Sequence, residues 1–183
     1  MLKFFSYFFC FSTQLLSSNG TVAIASSTYS NSGKLLAYGI SQSGSDWVTI
    51  YFRETSKPFI TPDPDKESAK CGGPDRLKDV IEYTKFAPPA WTPDDVGVFY
   101  MHFPPFSKTA FDNSGQVEDG GVVNADKRAE LYYHKLGTSQ DRDILVIKQD
   151  QKNSTSIWYP TVSAYVVGLQ QFMLSLLIIH LLQ

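Results

Sequence analysis

Tyr38-Gly39-Ile40-Ser41-Gln42-Ser43-Gly44-Ser45-Asp46-Trp47-Val48-Thr49-Ile50-Tyr51 sets a Gly/Ser turn between two apolar runs, and it reads as a β-hairpin. Leu35, Leu36, Ala37, Tyr38 and Ile40 supply the first strand, and Trp47 to Phe52 are β-branched or aromatic residues suited to a pleated surface. Ser43-Gly44 makes the reversal, because glycine takes the positive φ that a tight turn needs, while Ser45 or Asp46 can bond backbone groups left unpaired.

The same grammar continues outward. Thr21 to Ser27 is a first short strand, and Asn31-Ser32-Gly33 turns the chain into the hairpin. After Phe52, Pro58, Pro62, Pro64 and Cys71-Gly72-Gly73-Pro74 mark a surface loop of about twenty residues, long for a compact domain. Strand-like runs resume at Asp79 to Phe86, closed by Pro88-Pro89, which cannot donate ladder hydrogen bonds, and at Val96 to Phe103. A polar stretch from Lys108 to Lys127 reads as a long exposed hairpin loop, and further strands follow at Glu130 to Leu136 and Asp143 to Ile147. Nothing before residue 160 places apolar residues at helical intervals, so the class is all-β with antiparallel strands. Ser30 to Tyr38 resembles Thr92 to Tyr100, a polar turn feeding an apolar strand that ends in Tyr, and a third copy begins near Val162-Ser163. Repeats of several strands at this spacing fit propeller blades, whose open faces and edges favour pairing when the ring is incomplete.

Composition agrees with a turn-rich β protein: 14% of the 183 residues are aromatic, with 12 Gly and 10 Pro. A chain of this length can bury about 70% of its unfolded surface as one domain. Sixteen basic against 18 acidic residues leave a net charge of −2, so no field draws nucleic acid or an anionic membrane. Two cysteines, Cys10 and Cys71, make no disulfide framework and suit a reducing compartment. The ends differ from the middle. Lys3 and the Phe-rich run to Phe11, followed by Leu15-Leu16-Ser17-Ser18, are either signal-like or non-native sequence. Val166 to Leu182 is apolar but, interrupted by Gln170, Gln171 and His180, falls short of the ~20 clean residues of a spanning helix. Asn19-Gly20-Thr21 and Asn153-Ser154-Thr155 fit the glycosylation pattern, which bears only on a secreted chain.

Three strings carry a family likeness: SGSDWVTI from Ser43 to Ile50, VIEYTKF with AW between Val80 and Trp91, and LYYHKLGTSQDRDIL from Leu131 to Leu145. Together they resemble consecutive segments of the β-propeller domain of the prolyl oligopeptidase family, over residues 20–167, and NSTSIWYPTVS from Asn153 to Ser163 resembles the start of the next blade. The resemblance implies about two blades of a seven-bladed propeller over residues 20–163, between an apolar segment at 1–19 and an apolar tail at 164–183. It implies a serine peptidase whose α/β-hydrolase domain cleaves short peptides after proline, with the propeller admitting peptides and excluding folded proteins. Its partners would be short proline-containing peptides, the missing blades and the hydrolase domain, with no nucleic acid and no membrane.

No G-x-S-x-G elbow occurs, since Gly39-Ile40-Ser41-Gln42-Ser43 lacks the final glycine, so no catalytic residue, metal or cofactor is expected. Two substrate-side residues carry over. Phe86 matches a phenylalanine lining the pocket for the residue two before the proline, and Asp46 matches an aspartate facing arginine beside the active site. By pattern alone, Phe86 is equally a core residue and Asp46 a turn cap. Pro88-Pro89 departs from the small residues expected before Ala90-Trp91, which puts the path of Phe86 in question, and the loop after Lys57 is longer than usual. His102, His134 and His180 lack metal-ligand spacing and read as surface or partly buried residues; Asp94-Asp95 reads as a turn cap. The compartment expected is cytoplasmic, or extracellular if the N-terminal segment is a true signal. The alternatives to a peptidase portion are an inactive propeller piece that acts as an interaction protein and a small secreted or anchored β protein.

Overall fold

The computed structural model describes residues 21–57, 76–85, 87–103 and 129–148, and the strand backbones of 157–167 and 171–181. Two four-stranded antiparallel meanders follow one another. The first joins β1 (Val22–Tyr29), β2 (Leu35–Gln42), β3 (Val48–Glu54) and β4 (Arg76–Thr84) in chain order. The second joins β5 (Ala90–Trp91), β6 (Gly97–His102), β7 (Glu130–Lys135) and β8 (Ile144–Ile147) in the same order, with one 3-10 turn at Gln140–Arg142. Two longer strands, β9 (Ile157–Val167) and β10 (Gln171–Leu181), pair with each other from Ile157 opposite Leu181 to Val167 opposite Gln171.

The hairpin around Ser43-Gly44 is β2–β3, with Tyr38 opposite Tyr51 and Ser41 opposite Val48. Ser43 and Gly44 have φ of 52° and 71°, and Ser45 N–H donates to the Gln42 carbonyl at 2.9 Å. Two successive positive φ values make the type I′ turn whose twist matches that of the strands it joins. The second strand starts one residue later than Trp47, since Ser45 Oγ takes the Trp47 N–H at 3.1 Å and holds that residue in the turn. The pattern misses one strand. Ala90-Trp91 pairs with Val98 and Phe99, immediately after the two prolines, and makes the first strand of the second sheet. The long loops expected after Lys57 and from Lys108 to Lys127 lie outside the described residues.

The two sheets pack face to face. Ala37, Val48, Ile50, Phe52 and Ile81 from the first meet Trp91, Val98 and Tyr100 from the second in one buried cluster. The Phe52 and Trp91 rings meet edge to face at 5.8 Å, and the Trp91 indole N–H donates to the Thr28 carbonyl at 3.1 Å. Full burial of each such ring stabilises by roughly 1.5–3 kcal/mol. On the other face of the first sheet, Val22, Leu36, Tyr38 and Ile40 form a second cluster. Met101, Phe103, Ala129 and Leu131 form a third on the far face of the second sheet. Sheets buried on both faces, each an up-and-down meander and each stacked on the next, are propeller blades.

The turns that the internal repeat aligns are brought together. Asp95 Oδ1 accepts the Asn31 N–H at 2.7 Å, Asp95 Oδ2 accepts the Ser32 N–H at 3.0 Å, and Asn31 Nδ2 donates to the Thr92 carbonyl at 2.9 Å. Asp94 caps its own turn as expected, taking the Val96 N–H at 3.2 Å, but Asp95 caps the turn of the neighbouring blade.

Candidate functional site

At the end of the blades opposite those turns, the tip of the β2–β3 hairpin and the chain leaving β4 converge. A cavity of about 190 Å³ lies between them, lined by Ala25, Ser26, Ser41, Ser45, Asp46, Val48 and Ala87. The strand ladder explains the convergence: Val48 is paired with Thr84, and Thr84 Oγ1 donates to the Val48 carbonyl at 2.7 Å. The next residue, Lys85, is buried with its ammonium 4.4 Å from the Trp47 ring and 5.7 Å from the Phe103 ring. A cation over an aromatic face inside a protein is held by ~2 kcal/mol or more. Lys85 and Trp47 thereby pin the exit from β4 against the residue that follows Asp46. The Tyr83 carbonyl takes the Phe103 N–H at 2.8 Å and ties this end to the second blade.

Asp46 is exposed and lines the cavity together with Ser26, Ser41 and Ser45. Phe86 lies outside the described residues, but its neighbour Ala87 lines the cavity with Asp46. The chemistry available here is recognition: hydroxyls and one carboxylate that can orient a cation or a peptide amide.

A second polar group, at the other end of the blade boundary, went unread in the sequence. His134 is completely buried rather than at or near the surface. Its Nδ1 stands 2.7 Å from Asp143 Oδ1 and its Nε2 3.2 Å from Asp79 Oδ1. Tyr100 donates its phenol to Asp143 Oδ2 at 2.8 Å, and the Gly137 N–H donates to Asp79 Oδ1. Burial pushes the imidazole down, but the hydrogen bonds and charges of Asp143 and Asp79 outweigh it and hold His134 above its ordinary value. Burial also raises the Tyr100 phenol, which therefore stays a neutral donor. With both ring nitrogens engaged by carboxylates, His134 has none left to activate a nucleophile. Strand alternation places His134 and Tyr132 on one face of β7, but nothing in the local pattern announces its partners 55 and 9 residues away.

Comparison with known proteins follows the same outline. The family described as prolyl oligopeptidase, N-terminal beta-propeller domain, matches residues 11–166. Prolyl oligopeptidase A of Galerina marginata is 40% identical over 141 residues, covering 77% of this chain and 18% of that protein. Prolyl endopeptidase of Elizabethkingia meningoseptica is 30% identical over 163 residues, covering 86% of this chain and 18% of that one. The solved structure of prolyl oligopeptidase B from Galerina marginata, bound to a 35mer hydrolysis and macrocyclization substrate, superposes with a TM-score of 0.59 at 29% identity. That superposition covers 84% of this chain and 18% of the solved one. The chain thus spans under a fifth of the length of these relatives. Two stacked four-stranded blades, and a family match running through most of the sequence, establish that the chain belongs to the prolyl oligopeptidase family, within its N-terminal β-propeller domain.

Proposed function

We propose that this chain is the propeller portion of a serine peptidase that hydrolyses short peptides after proline, and that its cavity end faces the catalytic domain. The observation that carries this reading is the convergence of Asp46 with Ala87, the neighbour of Phe86, on one cavity. Asp46 faces an arginine beside the active site, orients by charge and transfers no proton. Phe86 contributes apolar contact to the substrate residue two before the proline. The propeller itself filters access, admitting short peptides and excluding folded proteins.

The chain carries no serine elbow, so by itself it is expected to leave a Gly-Pro reporter peptide uncleaved. A second arm tests the site. Residues 21–148 replace the matching segment of Galerina prolyl oligopeptidase A, and cleavage after proline is measured. The chimera is expected to cleave, Phe86→Ala to raise KM for peptides with an apolar residue two before the proline, and Asp46→Asn to lower kcat/KM about tenfold or more. Inhibitor-sensitive cleavage by the isolated chain, or a chimera indifferent to both substitutions, would overturn the reading.

A second reading, an interaction protein pairing through a blade edge, is favoured by β8. That strand closes one side of the second blade and exposes Ile144, Leu145 and Val146. Concentration-dependent sedimentation that Leu145→Lys abolishes supports it, and a monomer at all concentrations rejects it.

A further inference from the structure

His134, Asp79 and Asp143 join two blades through a single ring. Asp79 belongs to β4 of the first blade, while His134 is the penultimate residue of β7 and Asp143 precedes β8 of the second. The side chains of all three are almost entirely withdrawn from solvent. A carboxylate only accepts hydrogen bonds, and a neutral imidazole carries one N–H, so a neutral ring can satisfy one of these two carboxylates and not both. An imidazolium satisfies both.

We infer that His134 is held as an imidazolium and that its second proton is a pH-operated clasp between the first and second blades. The surroundings supply donors to the two carboxylates. On the Asp79 side the Gly137 N–H adds a second donor to Oδ1. On the Asp143 side β6 contributes the Tyr100 phenol, which Gln140 Nε2 contacts at 3.3 Å. From β3 the uncharged Phe52 ring stacks on the imidazole at 6.0 Å and 18°. The Tyr132 phenol of β7, 6.0 Å from the Tyr100 ring, is bonded to Glu130.

Deprotonation breaks this arrangement on one side. The remaining N–H stays with the closer partner, Asp143, and the Nε2 lone pair is then turned toward a lone pair of Asp79 Oδ1 across the blade boundary. Because the folded value of His134 is raised above 6.5, the clasp is fully closed below about pH 6.5 and is lost as pH rises through the raised value. The fold is therefore tightest below about pH 6.5 and loosens as pH rises through the raised value.

The test uses the full 183-residue chain. Long-range proton–nitrogen spectra report the protonation of each ring nitrogen, with His134 assigned by the signal lost in His134→Gln, and thermal midpoints are recorded between about pH 6 and 9. At pH 6.5, where a free imidazole is half protonated, both His134 nitrogens are expected to carry protons in more than half of the molecules, and the midpoint is expected to fall as pH rises through the raised value. Asp79→Asn keeps the shape and lets the side-chain amide donate to a neutral ring, at the expense of the bond from the Gly137 N–H to the same atom position. It should lower the His134 titration toward the ordinary value and flatten the dependence of the midpoint on pH above about 6.5. A His134 half or more deprotonated at pH 6.5, a His134 titrating at or below the ordinary value, or an unchanged pH slope in Asp79→Asn each overturns the inference.

Discussion

Asp95 shows how much one side chain contributes when its partners sit on another blade. Its partial burial works against ionisation, but hydrogen bonds from Ser32 and Asn31 prevail and hold the carboxyl below its ordinary value. A carboxyl lowered on folding contributes stability above its unfolded value and loses it as pH falls through the folded one. Asp95→Ala is therefore expected to cost about 1 kcal/mol, since water replaces bonds at a partly exposed site. The deficit should be constant above about pH 4 and close at lower pH, as read by urea unfolding of both chains. A deficit that persists unchanged to pH 2.5 would mean that Asp95 acts through packing. The sequence places Asp94-Asp95 in a turn, and the turn is there, but no local pattern tells a carboxylate that caps its own turn from one that caps a turn 63 residues earlier. His134 escapes for the same reason: a β-strand position fixes which face a residue occupies, and the identity of what lies across that face is a long-range fact.

Strands were the most legible elements, because alternation and β-branched residues mark a pleated surface and Gly or Pro marks its ends. Seven of the eight blade strands follow the runs read from the sequence to within a few residues. The eighth, β5, has only two residues, too few to show a period, and its signal is the single buried Trp91. An edge strand must also be protected, and β4 shows a side-chain solution. The Gln140 amide both accepts the Glu82 N–H at 2.9 Å and donates to the Glu82 carbonyl at 3.0 Å, imitating one residue of a paired strand. Next to it Tyr83 adopts a φ of 57°, which bends the strand away from a straight ladder. Gln140→Leu uncovers that edge. The substitution is expected to lower stability by about 1 kcal/mol and to promote self-association, measured by light scattering at rising concentration. A variant that stays as monomeric as the parent would show that the bend at Tyr83 suffices.

At the scale of the whole molecule the two blades share one core, and Trp91 is its hinge pin: buried, edge-on to Phe52 and hydrogen-bonded to the Thr28 carbonyl. Trp91→Ala should cost about 3–5 kcal/mol. Trp91→Phe should cost less, keeping most of the packing and leaving the Thr28 carbonyl without this donor. Urea titration followed separately by fluorescence and far-ultraviolet dichroism checks both, and coincident transitions in the parent chain would show that the blades unfold as one unit. A loss below about 1 kcal/mol for Trp91→Ala would mean that this packing does not hold the blades together. The contact between blades is also directional. The surface of the second blade that carries Val98 and Tyr100 meets the surface of the first that carries Ala37 and Phe52, and the repeat equates Val98 and Tyr100 with Leu36 and Tyr38, on the opposite surface of the first blade. Head and tail of each unit are thus unlike, as in the heterologous contacts that build rings or open filaments. A unit of this kind adds to its neighbour by rotation in one sense only, and its growth has two ends: closure upon itself, or a polymer.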